Sequence, residues 1–327
     1  MRSGIAGTGS YIPECRVTND MLAARMDTSD EWIVSRTGIR ERHLSAEGTA
    51  AMAAEAARRA LADAGMTAEE LDWILVATVT PECFFPSVAC QVQEALGAKR
   101  AVCYDLSAAC SGFLFGLQTA DAYIRTGMAR NVLVIGAEAM SRLVDWKDRS
   151  TCVLFGDGAG AAVVTAVSAG GIRTGVLGCD GSRGDSLICS TGRSVAEIPF
   201  LEGTGEDEEA VPTYLSMDGR GIFQFAVRTV PEAIREALAQ AELSTEDVSL
   251  FLLHQANARI LTSIGRSLHV PMEKIPENLA HTGNLAAASV PVLLDEVNRA
   301  GRLQRGDMLV LAGFGAGLTW GAMVLEW

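Results

Sequence analysis

The sequence predicts an α/β protein made of two halves that repeat one plan, and three observations carry that expectation. β-branched runs alternate with apolar-periodic helices along the chain, the pattern of strand–helix units with mixed, mostly parallel sheets. The order of elements also recurs. Leu71–Ala77 reads as a strand after an acidic helix end, Asn131–Gly136 as a second, and Phe155-Gly156-Asp157-Gly158 as a turn opening a third. Val248–Leu253, Met308–Leu311 and Phe314-Gly315-Ala316-Gly317 take the same places later in the chain. Spacing agrees as well: Cys110 to the helix-ending Gly127, and Asn284 to Gly301, each span 17 positions. The halves divide into residues 1–168 and 169–327. Such a duplication places two helix N-termini face to face at a pseudo-twofold axis, with Cys110 on one and Asn284 near the other.

Element by element, the N-terminus Met1–Gly7 lacks the long apolar region of a secretory signal. Ala101–Leu106 reads as a strand that runs through Ser107-Ala108-Ala109 into Cys110-Ser111-Gly112. Beyond it, Phe113, Leu114, Leu117 and Ile124 line one face of a helix. A thiol at a helix N-terminus lies near free backbone N–H groups, which favour the thiolate, and its small neighbours admit a substrate carbonyl. The same place also suits a buried structural cysteine. Gly156–Ala161 superficially fits a dinucleotide-binding G-x-G-x-x-A run, but β-branched Val163-Val164-Thr165 follow where that motif needs a helix. No Lys-Ser/Thr follows either, which removes a P-loop. Residues 308–325 are uncharged, yet four glycines interrupt them, so they read as a buried hairpin and not as a membrane span.

At 327 residues, about half of them hydrophobic, the chain can bury a large core. The net charge of −13 argues against nucleic acid as a partner. Eight cysteines show no C-x-x-C pair and no zinc spacing, so they read mostly as buried, reduced thiols of a cytoplasmic protein. The acids between Glu202 and Glu209 read as a solvated loop.

Four histidines narrow the chemistry. His43 lies in a charged run and His269 beside Pro271, both peripheral by pattern. His254 ends an apolar strand, where α/β sheets place function, and His281 stands three residues before Asn284. A structural histidine fits each place equally. Cys, His and Asn in this order also describe papain-like proteases, but the C-G-x-C-[WY] run of those enzymes is absent.

Ala109-Cys110-Ser111-Gly112-Phe113, Leu253-His254-Gln255-Ala256-Asn257, His281-Thr282-Gly283-Asn284 and Gly315-Ala316-Gly317-Leu318-Thr319-Trp320-Gly321 together resemble the β-ketoacyl-[acyl-carrier-protein] synthase III family of thiolase-like condensing enzymes. Asp30–Arg40 and Asp148-Arg149-Ser150-Thr151 extend the likeness over nearly the whole chain. The resemblance implies a five-layered αβαβα fold, a homodimer, and initiation of type II fatty acid synthesis. In that reading Cys110 is acylated by a short acyl-CoA. Decarboxylation of malonyl-[acyl-carrier-protein], assisted by His254 and Asn284, then supplies the carbanion. Acyl-CoA is a substrate, and neither cofactor nor metal is implied.

The resemblance assigns the oxyanion to the backbone N–H groups of Cys110 and Ala316. It assigns CoA to Trp32, Arg36, Arg149 and Asn257, carrier docking to Arg259 and Arg266, and the partner's acyl pocket to Phe85. Ala316 departs from a commoner glycine, and Gln224 stands where some relatives have lysine. Three rivals stay open: a starter-unit synthase of a polyketide pathway, hydroxymethylglutaryl-CoA synthase, whose extra general-acid glutamate has no evident place, and a non-catalytic carrier-binding subunit.

Overall fold

The structure is a computed structural model, and residues 2–190 and 212–327 are described. The acidic run Glu202–Glu209 lies outside them. The first half runs β1 (Arg2–Tyr11), β2 (Cys15–Thr18), α1 (Asn19–Ala23), α2 (Asp30–Thr37), β3 (Glu41–Leu44), α3 (Thr49–Ala64), β4 (Trp73–Ala77), α4 (Val88–Leu96), β5 (Val102–Leu106), α5 (Gly112–Arg125), β6 (Asn131–Ala139) and β7 (Asp157–Val167). The second runs β8 (Gly171–Cys179), β9 (Leu187–Ile188), β10 (Ser216–Met217), α6 (Gly219–Gln240), β11 (Leu250–Leu253), α7 (Ala258–Leu268), α8 (Leu279–Thr282), α9 (Ser289–Arg299), β12 (Met308–Gly315) and β13 (Thr319–Glu326).

Two sheets result, ordered β1-β7-β6-β4-β5 and β11-β12-β13-β8. They are mixed, but parallel pairs do not predominate as the sequence led us to expect. Only β4–β5, β4–β6 and β11–β12 run parallel. β12 and β13 are joined by a three-residue turn that can only give an antiparallel pair, and β1, β7 and β8 add antiparallel partners. The uncharged stretch 308–325 is thus a hairpin, and among the described residues no helix is long and apolar enough to cross a membrane.

The strands are apolar on both faces because both faces are covered. On β6, Val132 and Val134 pack with α5 and α9, while Leu133 and Ile135 pack with α3 and α4. On β12, Leu309 and Leu311 face the same central helices, while Val310 and Ala312 meet Phe225 and Ile234 of α6 and Leu261 of α7. Period-two alternation thus feeds two different cores, giving five layers: helices, sheet, α5 with α9, sheet, helices.

The repeat is more regular than the spacing implied. Trp73 and Leu250, Val132 and Leu309, and Ala109 and Ala286 hold equivalent places, every pair separated by 177 positions. Ala109 (φ 45°) and Ala286 (φ 47°) are both left-handed alanines opening a 3₁₀ turn, Ala109–Ser111 and Ala286–Ala288. The expected pairing of Cys110 with Asn284 is therefore displaced by three residues, and Ala287 is the counterpart of Cys110. The helix ends misled because α5 has 14 residues and α9 only 11.

These turns meet back to back between the sheets, and missing side chains make room for them. A Cβ on Gly136 of β6 would lie 2.2 Å from the Ala287 carbonyl oxygen. One on Gly315 of β12 would lie 2.8 Å from the Cys110 nitrogen. Gly136→Ala is expected to destabilise the fold by about 1–3 kcal/mol, because backbone cannot yield to the added methyl. Gly181→Ala, with open space around its Cβ, is expected to stay within about 0.5 kcal/mol. Urea unfolding of both variants checks the pair.

Candidate active site

Cys110 lies in the 3₁₀ turn before α5, held from three sides. Thr319 Oγ1 donates toward the Ala108 carbonyl (3.1 Å) and approaches buried Ser111 Oγ (3.2 Å), while Gly315 lets β12 lie against the Cys110 backbone. The left-handed Ala109 just before it is a conformation non-glycine residues rarely adopt, of the kind that gathers at functional sites.

His254 follows β11 directly, and its N–H donates to the Ala312 carbonyl (2.8 Å) of β12. The ring is buried and meets Phe314 edge to face at 5.3 Å. Its Nδ1 has no hydrogen-bond partner, which leaves Nε2 as the ring atom for the cavity. Burial holds the imidazole down at about 3, so it is neutral.

Asn284 is pinned to a neighbouring segment. Its N–H donates to the Leu154 carbonyl (2.8 Å), and its carbonyl accepts from the Gly156 N–H (3.1 Å). Its Oδ1 accepts the Ala286 N–H (2.8 Å), which fixes the carboxamide so that the NH₂ is left as a donor.

One cavity of about 380 Å³ is lined by Cys110, His254 and Asn284 together, and also by Trp32, Arg36, Arg149 and Asn257. Two guanidinium groups lie over the Trp32 ring, Arg36 at 4.5 Å and Arg149 at 5.1 Å from its centre. Arg149 also donates to the Asp27 carbonyl and its carboxylate. Asn257 caps α7: its Oδ1 accepts the Arg259 N–H (2.8 Å) and its NH₂ donates to the Arg36 carbonyl (3.0 Å). Between the two ends the wall is apolar, with Leu187, Met217, Ile222 and Phe223.

Four of the remaining site residues lie elsewhere. Gly315 lines the cavity, whereas Ala316 begins the β12–β13 turn beyond it. Arg259 and Arg266 are exposed on α7, and Arg259 stacks at 5.9 Å on cavity-lining Phe223. Phe85 is 85% exposed and does not reach its own chain's cavity. His43 is half-buried against the Pro13 carbonyl, and His281 pairs with Glu296 at 3.4 Å.

Two sequence expectations about the thiols fail. Of the eight cysteines, all free, Cys152 is fully buried, Cys103, Cys110 and Cys189 are partly buried, and Cys15, Cys83, Cys90 and Cys179 are exposed. Nor does the helix N-terminus leave Cys110 a thiolate: burial pushes it up to about 12, and the nearby Glu138 carboxylate adds to that push. Glu138 itself escaped the sequence reading. The signal was there, a single acid near the end of the otherwise uncharged run Asn131–Ala139.

Comparison with known proteins supplies the rest. Residues 104–181 match the family described as 3-oxoacyl-[acyl-carrier-protein (ACP)] synthase III, and residues 238–327 match its C-terminal region. The chain belongs to that family. It is 48% identical over 330 residues to β-ketoacyl-[acyl-carrier-protein] synthase III 1 of Bacillus anthracis, covering all of this chain and 99% of that one. Against the Clostridium acetobutylicum enzyme it is 45% identical over 324 residues, 99% and 98% of the two chains. The structure of the Aquifex aeolicus synthase III superposes with a TM-score of 0.92 at 44% identity, over 99% of this chain and all of that one. The priming β-ketosynthase of the R1128 polyketide pathway gives 0.91 at 38% identity, over 99% and 96%. The fold is thus thiolase-like and the chain a condensing acyltransferase.

A neutral, high-pKa thiol has a direct readout. Alkylation of Cys110 by iodoacetamide, resolved from the exposed cysteines by peptide mass spectrometry, is expected to keep rising with pH up to pH 9. A plateau near neutrality would contradict a protonated resting thiol.

Proposed function

We propose that this synthase initiates type II fatty acid synthesis, joining a short acyl-CoA to malonyl-[acyl-carrier-protein]. The observation that carries this reading is the meeting of a thiol, a neutral imidazole and an oriented carboxamide in one cavity. Cys110 sulfur attacks the thioester carbonyl, and the carbonyl oxygen takes the charge. The backbone N–H of Cys110 takes that oxyanion, joined by the N–H of Ala316 where the turn after cavity-lining Gly315 reaches the thioester, and each such donor is worth about 10²–10³ in rate. The thiol proton is handed to the departing CoA sulfur as the new thioester forms, so the buried His254 never has to become charged and keeps its N–H for the second half-reaction. The acyl-enzyme and free CoA result.

The second half-reaction needs no carbon base. Loss of CO₂ from the malonyl thioester leaves an enolate, whose oxygen is met by one N–H of His254 and the NH₂ of Asn284. The carbanion attacks the acyl group on Cys110, the sulfur leaves and regains a proton, and the 3-oxoacyl-carrier departs. No cofactor is required, because CO₂ loss supplies the driving force.

The polar end of the cavity suits CoA. Trp32 offers a ring face for adenine once a guanidinium moves aside, while Arg36 and Arg149 suit phosphates. Asn257, already bonded twice, contributes its remaining N–H to pantetheine. Exposed Arg259 and Arg266 give an acidic carrier a local basic surface on a chain of net charge −13. We read the working form as a cytoplasmic homodimer. β5 is an edge strand, and Val102 on it and Phe84 and Phe85 in the loop before α4 are exposed, which supports a second subunit against this part of the molecule, with Phe85 closing the partner's acyl pocket. Likeness to the R1128 priming enzyme favours a starter-unit role as the second reading, which the acceptor carrier and primer preference distinguish.

Incubation with labelled acetyl-CoA is expected to place one acyl group on Cys110, and Cys110→Ser to abolish this. Asn284→Ala is expected to keep acylation but slow malonyl decarboxylation by about 10²–10³. Equal loss of both half-reactions would overturn the assignment. Competition among acetyl-, isobutyryl- and octanoyl-CoA, with Phe85→Ala beside the parent, reads the depth of the acyl pocket.

A further inference from the structure

Glu138 is the one strongly perturbed acid next to the nucleophile, and the reaction above gives it no task. It stands on β6, fully buried. Thr80 Oγ1 donates to it at 2.6 Å, Thr78 Oγ1 at 3.3 Å, and the Val79 N–H reaches both its oxygens at 3.2 Å. The Ala287 N–H is a further donor. No lysine or arginine is among its partners. Thr80 is itself oriented, its Oγ1 accepting the Ala139 N–H (2.9 Å) while Thr49 Oγ1 donates to its carbonyl (2.7 Å).

The internal repeat explains the place. With the halves offset by 177 positions, Glu138 corresponds to Gly315 and Ala287 to Cys110. In the second half the bare glycine leaves room at the nucleophile. In the first half the equivalent space is filled by a carboxylate that grips the equivalent backbone N–H. Ala287 directly follows Ala286, whose N–H orients the Asn284 carboxamide. Glu138 therefore reaches both active groups, Asn284 through two adjacent peptide N–H groups and Cys110 through its charge.

We propose that Glu138 is a positioning residue for the condensing reaction, holding the Asn284 turn for decarboxylation through the Ala287 N–H and acting by its charge on Cys110, whose turn packs against the same segment. Burial lifts its carboxyl to about 7 against the pull of its donors, so the charge it exerts on Cys110 appears near neutral pH. The groups that touch it, Thr78, Val79, Thr80 and Ala287, do not titrate, and Cys110 is the titratable group coupled to it.

The inference rests on the condensing reading, but one arm of its test does not. In Glu138→Gln, alkylation of Cys110 by iodoacetamide at pH 8.5 is expected to be about tenfold faster than in the parent, the effect of removing a close like charge. The two profiles are expected to converge below about pH 7, where Glu138 is protonated anyway. Malonyl decarboxylation, measured apart from acylation, is expected to fall about tenfold in the same variant, because an amide cannot accept from all the donors around it. Opposite movement of the two readouts separates positioning from damage. Glu138→Asp, which keeps the charge, is expected to retain the parent alkylation profile. Thr80→Val is expected to move both readouts as Glu138→Gln does, by less, and serves where the glutamine variant fails to fold. Unchanged alkylation in the glutamine or valine variant, or a parallel fall of alkylation and decarboxylation, overturns the proposal. Alkylation that shifts as expected in a protein that never acylates would instead count against the condensing reading alone.

Discussion

The constraint on which this molecule depends is the contact of two 3₁₀ turns buried between two sheets. Each turn opens with a left-handed alanine, each precedes a central helix, and each is pressed against a strand of the other half at a residue without a side chain. Gly136 admits Ala287 and Gly315 admits Cys110. Had either glycine carried a Cβ, it would stand 2.2 or 2.8 Å from backbone of the opposing turn, and the layers and the reactive groups would have to move apart to relieve it. Cavity, nucleophile and enolate donors all follow from how closely these halves approach.

The two turns have diverged in what they present. One carries a sulfur, a small serine and open space; the other carries three alanines and a carboxylate behind them. One reactive centre on the pseudo-twofold axis serves the reaction better than two, since His254 and Asn284 must both face the same sulfur. The first half has Ala77 where the second has His254, so it lacks an imidazole as well as a nucleophile. The spent centre still serves as a support, because its N–H groups anchor the turn that aims Asn284.

Much of this was legible in the sequence, and the gaps have physical causes. Strands such as Val132–Ile135 and Leu309–Ala312 were evident because burial on both faces leaves an unbroken apolar run. Cys110, His254 and Asn284 were evident because each stands where a strand or turn ends. The register between the halves was misread because it was taken from helix C-termini, and α9 is nearly one turn shorter than α5. A single chain gives Phe85 nothing to cover, so its exposure fits a task in a second subunit. Asn257 is singled out only by the family resemblance, because capping a helix and contacting a ligand leave the same trace in sequence. Glu138 was passed over because one acid in a strand of nine does not alter its periodicity.

The electrostatics of the cavity follow from the same burial. Cys110 is held protonated, His254 unprotonated and Glu138 close to its midpoint, so the resting site carries little charge in a region that solvates charge poorly. A site prepared as an ion pair would bind the negative malonyl group through its charge before any chemistry. A site of neutral donors interacts most strongly when charge develops on the thioester oxygen, which is the condition for lowering a barrier and not merely a binding constant. The charged groups are kept at the other end, where Arg36 and Arg149 flank Trp32 near solvent. In the proposed reaction the cations meet the anionic, non-reacting part of CoA, and uncharged donors are kept for the atom that changes. The apolar wall of Leu187, Ile222 and Phe223 lines the same cavity, and since an apolar lining strengthens charge interactions, it is distance and the solvent near Trp32 that weaken the pull of those cations on the reacting end.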